Sequence, residues 1–285
     1  MPAEPQTETR SETAKVAAFR ALHRPGDPFI LPNPWDLGTV RILEAAGFKA
    51  LATTSAGFAF SLGQREGRLT HEAVLGHCRA MAEASALPVS ADLEKGFGDR
   101  PESVAETITA AATTGLAGAS IEDHTGRAED PIYPLSLATE RIAAAVEAAR
   151  AVPGGFVLTA RAENYLWQRP DLDDTIARLQ AFEAAGADVL YAPGLRDIET
   201  IRTLCSALLK PVNVIMGLPK VALDRAALAE AGVARISVGS ALARLAYGRV
   251  VEAAREMAEA GSFGFGAEAM GFAELEAQFP PHADL

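Results

Sequence analysis

Phe156-Val157-Leu158-Thr159-Ala160-Arg161-Ala162-Glu163 is an apolar run that ends in charge. Pro153 precedes it. Downstream, apolar residues recur at Ile176, Leu179 and Phe182, and Gly186 then precedes a second apolar run, Val189-Leu190-Tyr191. A repeat every three or four residues is that of a helix face, and Pro and Gly are the residues that stop helices. Residues 153–191 therefore read as strand, helix, strand. The same punctuation extends in both directions. Pro28 precedes Phe29-Ile30-Leu31, Gly47 precedes Ala50-Leu51-Ala52, Pro88 precedes Val89-Ser90-Ala91, and Gly115 precedes Ala119-Ser120-Ile121. Pro211 precedes Val212-Asn213-Val214, and Gly232 precedes Arg235-Ile236-Ser237-Val238. Eight short strands alternating with helices predict an α/β fold of the (β/α)8 TIM-barrel type, one domain over residues 1–285. A doubly wound open sheet is the alternative. Its dinucleotide glycine fingerprint is missing after the first strand, where Asn33-Pro34-Trp35-Asp36 stands.

Helix in excess of a barrel is expected at both ends. Thr13 to Leu22 reads as a helix covering the bottom or side. Ala241 to Ala260 reads as another, followed by the glycine-rich joint 261–266 and a last helix near Glu274. The surplus suggests that 241–285 forms a subunit contact.

Composition narrows the function. A chain of 285 residues, 49% hydrophobic and 22% charged, can bury one large α/β core. A formal net charge of -11 argues against nucleic-acid or anionic-membrane partners, which need clustered Lys and Arg. Cys78 and Cys205 both fall in helix-like stretches, which points away from disulfides and cysteine metal clusters. Met1 to Glu12 have no apolar core of a signal peptide, and no apolar run is long enough to span a bilayer, so a cytoplasmic location is expected.

Three of the strands end in acid: Asp92 and Glu94, then Glu122 and Asp123, then Glu163 beyond Arg161. Sites in parallel α/β folds are built at the carboxyl ends of strands, and alternation puts Asp92 and Glu94 on one side. Carboxylates gathered there call for a hard divalent cation, Mg2+ or alternatively Mn2+. The expected ligands are Asp92, Glu94 and Glu122, with Glu66 from the segment after the second strand as a fourth. Arg161 is suited to binding a carboxylate or stabilising an enolate oxygen. Thr53-Thr54-Ser55-Ala56-Gly57 offers hydroxyls and close backbone approach to an anion, and Asn213 needs a polar partner if it faces inward. Trp35 and Tyr191 are expected as pocket wall or core, and Trp35 and Asn213 count among the candidate substrate contacts. His124, beside the acids, is the candidate acid or base, with Glu129 and Asp130 as further proton carriers. Lys95 is a weaker candidate, for Schiff-base chemistry.

Asn33-Pro34-Trp35-Asp36, Thr53-Thr54-Ser55-Ala56-Gly57, Ala91-Asp92-Leu93-Glu94 with Gly96-Phe97-Gly98, Ile121-Glu122-Asp123, Ala160-Arg161-Ala162-Glu163 and Pro211-Val212-Asn213-Val214 occur in an order that resembles the isocitrate lyase and phosphoenolpyruvate mutase superfamily. The resemblance runs from about Phe29 to Gly239. It implies a Mg2+-dependent barrel enzyme that makes or breaks C–C or P–C bonds through enolate-like intermediates. By the same resemblance, Asp92 is the direct metal ligand, and Glu94 and Glu122 hold its waters. Glu66 takes the place of a further metal-shell Asp. Arg161 binds substrate, and Thr54, Ser55 and Ala56 grip its carboxylate. Relatives that exchange a barrel helix between subunits imply a homodimer or homotetramer. Lyases of the family carry a Lys-Lys-Cys-Gly-His type motif after the fourth strand, and the mutases an Asn; this chain has His124-Thr125-Gly126-Arg127-Ala128-Glu129-Asp130. The expected activity is C–C cleavage of a small 2-oxo or 2-hydroxy carboxylic acid. The alternatives are a phosphonate mutase or hydrolase, or a non-catalytic 2-oxo-acid binding protein.

Overall fold

The computed structural model describes residues 5–279, so the expectations for 1–285 and 241–285 run past it at the ends. The eight strands are β1 (Phe29–Leu31), β2 (Leu51–Ala52), β3 (Val89–Asp92), β4 (Gly118–Glu122), β5 (Val157–Arg161), β6 (Val189–Tyr191), β7 (Val212–Ile215) and β8 (Arg235–Ser237). All neighbours pair in parallel, in the order β1-β8-β7-β6-β5-β4-β3-β2. The remaining seam, between β1 and β2, carries no strand ladder. There the Ala52 amide donates to the Pro32 carbonyl at 3.1 Å and Asn33 Nδ2 donates to the Thr53 carbonyl at 2.9 Å. The result is a nearly closed (β/α)8 barrel.

The helices are α1 (Pro5–Leu22), α2 (Leu37–Ala45), α3 (Ser55–Ser61), α4 (His71–Ala84), α5 (Pro101–Ala112) and α6 (Leu135–Ala151). They continue with α7 (Leu172–Ala185), α8 (Ile198–Ser206), α9 (Arg225–Glu230), α10 (Ala241–Arg255) and α11 (Phe272–Glu276). Local chemistry explains several starts. Asp36, Asp171, Asp197 and Asp224 each accept an amide hydrogen bond from the first turn of the helix that follows, satisfying donors left free there. Among the described residues no helix is long and apolar enough to cross a membrane.

Strand alternation sorts the side chains into two apolar groups. Outward residues such as Ala119, Ile121, Leu158, Ala160, Leu190 and Val214 pack under the helices in the main core. A smaller cluster closes the barrel floor, where Val16 and Phe19 of α1 meet Leu31, Val157 and Val189. The N-terminal helix thus covers the bottom, and it begins at Pro5, earlier than the Thr13 read from the sequence. At Gly118 β4 passes close to β5: a Cβ there would lie 2.4 Å from the Val157 carbonyl oxygen.

Candidate active site

Inward-facing residues near the strand ends are polar. A cavity of about 320 Å3 opens among them, lined by Asn33, Thr54, Ala56, Glu66, Asp92, Arg161, Tyr191, Asn213 and Arg235 among others. A neighbouring chamber of about 430 Å3 shares Glu66, Arg161 and Leu166 with it and adds Glu94, Glu122, His124, Glu163 and Trp167.

Arg161 holds the centre. Its Nη1 lies 3.1 Å from Asp92 Oδ1 and 2.9 Å from Glu122 Oε1, and its Nε lies 2.8 Å from Glu163 Oε1. The guanidinium also lies 4.9 Å from the centre of the Tyr191 ring. Burial opposes its charge, but Glu122, Glu163 and Asp92 together keep it protonated and raise its pKa. The same burial raises Glu122 and Glu163, with Arg161 pulling the other way. Glu163 Oε2 is buried with no hydrogen-bond partner.

Asp92 is fixed on its other side. Its Oδ2 accepts from the Ser55 hydroxyl at 2.9 Å and the Ser55 amide at 3.2 Å, and its own amide donates to Thr53 Oγ1. The Ser55 hydroxyl also lies 3.0 Å from Glu66 Oε1. The start of α3 is brought close by Gly57, where a Cβ would meet Thr54 at 2.6 Å and Trp35 at 2.9 Å. Glu94 follows with φ of 50°, a left-handed conformation costly for a residue with a side chain. Burial, then Asp92, then Glu66 push Glu94 up to about 7, and burial and Asp92 also raise Glu66.

Several expectations change. Asp92, Glu94 and Glu122 were expected to converge on one point with Arg161 facing them. Instead Arg161 stands between Asp92 and Glu122, and among the described residues no three His, Cys, Asp or Glu form a ready metal-ligand group. The guanidinium supplies part of the positive charge that these buried acids require, and Glu66 and Glu94 make no ion pair with it. Ser55 spends its hydroxyl and amide on Asp92, whereas Thr54 and Ala56 line the cavity. Trp35 does not line the cavity as a substrate contact; it is buried as core, its ring 6.4 Å from that of Tyr247. Glu129 and Asp130 are exposed and line neither chamber, because the loop carrying them folds on itself. In that loop His124 bridges to Ile132, the Thr125 amide donates to the Pro131 carbonyl at 2.8 Å, and Asp130 faces Arg127. Lys95 is spent on Asp99 and on the Thr125 carbonyl, which pins the loop.

His124 does line the outer chamber, stacked on Trp167 with ring centres 3.9 Å apart. Burial, Lys95 and Arg161 lower its pKa to about 4, so the imidazole is neutral at pH 7, and its Nε2 is buried without a partner. Asn213 faces the cavity with its amide held by Ser237 and Arg235. Sequence reading missed the clamp beneath the rim. Asp123 accepts from the Glu163 amide at 2.8 Å and pairs with Arg178 of α7 at 3.1 Å, and Arg178 also holds the Tyr133 carbonyl. The visible signal was the place of Arg178 in step with Leu179 and Phe182 on the apolar face of its helix, one turn from Asp174.

Residues 19–258 match the phosphoenolpyruvate phosphomutase family. The chain belongs to that family. A putative lyase/mutase from Burkholderia cenocepacia J2315 is 55% identical, with a TM-score of 0.90 over 94% of this chain and 96% of its own. An uncharacterized protein of Mycobacterium tuberculosis is 37% identical over 78% of this chain and 82% of its own length. The 2-methylisocitrate lyase of Escherichia coli K12 is 30% identical over 67% of this chain and 70% of its own length. The barrel is shared with these relatives, and the Escherichia coli protein among them is a lyase.

Proposed function

We propose that the chain is a Mg2+-dependent lyase that cleaves a C–C bond in a small 2-oxo or 2-hydroxy carboxylic acid through an enolate. The observation that carries this reading is the buried Arg161 set among Asp92, Glu122 and Glu163 at the ends of β3, β4 and β5, beside an open polar cavity. Family membership and the similarity to 2-methylisocitrate lyase support it.

The donors fit a hard cation. Glu66, Glu94 and Glu122 are all raised by burial and by neighbouring carboxylates, the electrostatic state of acids short of positive charge. Mg2+ needs only one or two carboxylates besides waters and substrate oxygens. Asp92 would hold it directly and Glu66, Glu94 and Glu122 through its waters; the ion would polarise the substrate carboxylate and adjacent oxygen.

The protein's own groups do the rest. Arg161 would stabilise the negative charge that develops on the enolate oxygen, and as a buried cation it needs little reorganisation to do so. Thr54 and Ala56, which line the cavity, would meet the substrate carboxylate. His124 is the proton carrier, since it is the one candidate in the loop that lines a chamber and its free Nε2 has no competing partner. A homodimer or homotetramer assembled through the C-terminal segment fits its surface, where Leu245, Val250, Phe263 and Phe272 are all exposed.

The test is turnover of a panel of 2-hydroxy di- and tricarboxylates with Mg2+, following pyruvate and glyoxylate release, alongside phosphonopyruvate with phosphate release. Asp92→Ala should lose turnover while keeping the circular dichroism of the wild type. Full activity of that variant in chelator sinks the reading; phosphate release with no 2-oxo acid released from the carboxylates moves the activity to phosphonates.

A further inference from the structure

A second guanidinium faces the central cavity, at its inner end. Arg235 is the first residue of β8 and only 3% exposed. Register links it to the rim: Glu122 lies opposite Arg161, Arg161 opposite Tyr191, Tyr191 opposite Asn213, and Asn213 opposite Arg235. Strands in a barrel tilt, so such a row winds from one end of the interior towards the other. The inner end is fixed by contact with the floor, where Arg235 Nη1 donates to His23 Nε2 at 3.1 Å, just past α1.

The partners of Arg235 are all neutral. Its Nε donates to Asn213 Oδ1 at 2.9 Å and its Nη2 to Thr159 Oγ1 at 3.0 Å. His23 is neutral too, because Arg235 can only donate to Nε2 and the other ring nitrogen faces the Phe19 carbonyl at 2.9 Å. Among the described residues no carboxylate pairs with Arg235, in contrast to the buried Arg161 and Arg178. Burial lowers its pKa to about 9, which still leaves it charged at neutral pH. A buried unpaired cation is costly, and part of this donor fork is unspent. It lines the same cavity as Asp92 and Arg161. The cavity is therefore polarised, acidic around β3 to β5 and cationic at β8.

We infer that Arg235, held by Asn213 and Thr159, is a carboxylate-binding subsite at the inner end of the cavity, and that the ligand is a dicarboxylate. One end would occupy the acidic rim and the distal carboxylate would meet Arg235. This deepens the rim reading proposed above and rests on it. Asn213 and Thr159 are positioning residues here, fixing the plane of the guanidinium so that it can meet a carboxylate along two N–H bonds.

Isothermal titration of the full chain with Mg2+ tests the subsite, with oxalate as a probe too short to span the cavity. Malate against 2-hydroxybutyrate, and 2-oxoglutarate against 2-oxopentanoate, are pairs that differ at the distal carboxylate. The wild type should bind at least one dicarboxylate about ten- to a hundredfold more tightly than its partner, the range of a charge-assisted hydrogen-bonded contact. Arg235→Met should abolish that preference and leave oxalate affinity within about twofold, since Arg161 and the rim are untouched. If Arg235→Met does not fold, Arg235→Lys carries the test, because an ammonium cannot form the planar pair and the preference should still fall. No preference in the wild type, or a preference unchanged in the variants while oxalate still binds, overturns the Arg235 assignment alone. Failure of oxalate to bind the wild type with Mg2+ overturns the rim reading and the dicarboxylate subsite with it.

Discussion

Replacing Arg161 by Met removes the cation shared by Asp92, Glu122 and Glu163 and leaves an apolar stem of similar length. Contacts of 3.1, 2.9 and 2.8 Å are lost together, and Glu163 is then a fully buried carboxylate without its ion pair. Breaking one buried pair by deleting a partner costs about 3–5 kcal/mol. The loss at pH 8 should reach at least that range, a fall in melting temperature of roughly 6–10 °C at about 2 °C per kcal/mol for a chain of this size. The deficit should depend on pH. Glu122 and Glu163 already have raised pKa values in the fold, and losing Arg161 raises them further. Between the ordinary glutamate value and the raised one, the native state binds protons that the unfolded chain does not, so stability falls as pH rises. Acidification to pH 5 should neutralise the stranded acids and shrink the deficit to below about 2 kcal/mol. Urea unfolding in chelator at pH 5, 6, 7 and 8, with linear extrapolation, measures this directly. A deficit equal at pH 5 and 8, or smaller than about 1 kcal/mol at pH 8, would refute the picture of Arg161 as the counter-charge of this cluster.

His23 should make stability pH-dependent in the opposite direction. Burial and Arg235 lower its pKa to about 3, so the unfolded chain takes up a proton first as pH falls. Its contribution is complete above about pH 6.5 and is lost towards pH 3 at about 1.4 kcal/mol per pH unit. His23→Gln should remove that slope, and urea midpoints with the same pH dependence as the wild type between pH 4 and 6 would contradict it. Glu94→Gly should relieve the left-handed backbone and gain about 1 kcal/mol while lowering Mg2+-dependent turnover. A lower melting temperature for this variant would show that φ of 50° is not a source of strain.

Every strand of the barrel was legible because Pro and Gly mark where helices stop and apolar runs begin. Alternation also put Asp92 and Glu94 on one side, and the strand ends put Arg161 near them. It does not supply register, and register decides that Arg161 lies directly opposite Glu122 and beside Asp92, where it can neutralise both. Glu129 looked well placed only because it follows the acids in the chain; the self-bonded loop turns it to solvent. Trp35 follows β1 closely, but its ring turns towards Tyr247 of α10. The inner polar layer was harder still to see. Thr159, Asn213, Arg235 and His23 come from four distant stretches, and only closure of the barrel over α1 joins them.

The clamp of Arg178 on Asp123 and on the Tyr133 carbonyl gives the outer wall a hold on the rim. Asp123 steadies the Glu163 amide, so any tilt of α7 reaches Arg161 through three hydrogen-bonded steps, Arg178 to Asp123, Asp123 to Glu163 and Glu163 to Arg161. Directed evolution of this barrel need not start in the pocket: libraries on the solvent side of α7 offer fine adjustment of Arg161 with no cavity-lining residue altered.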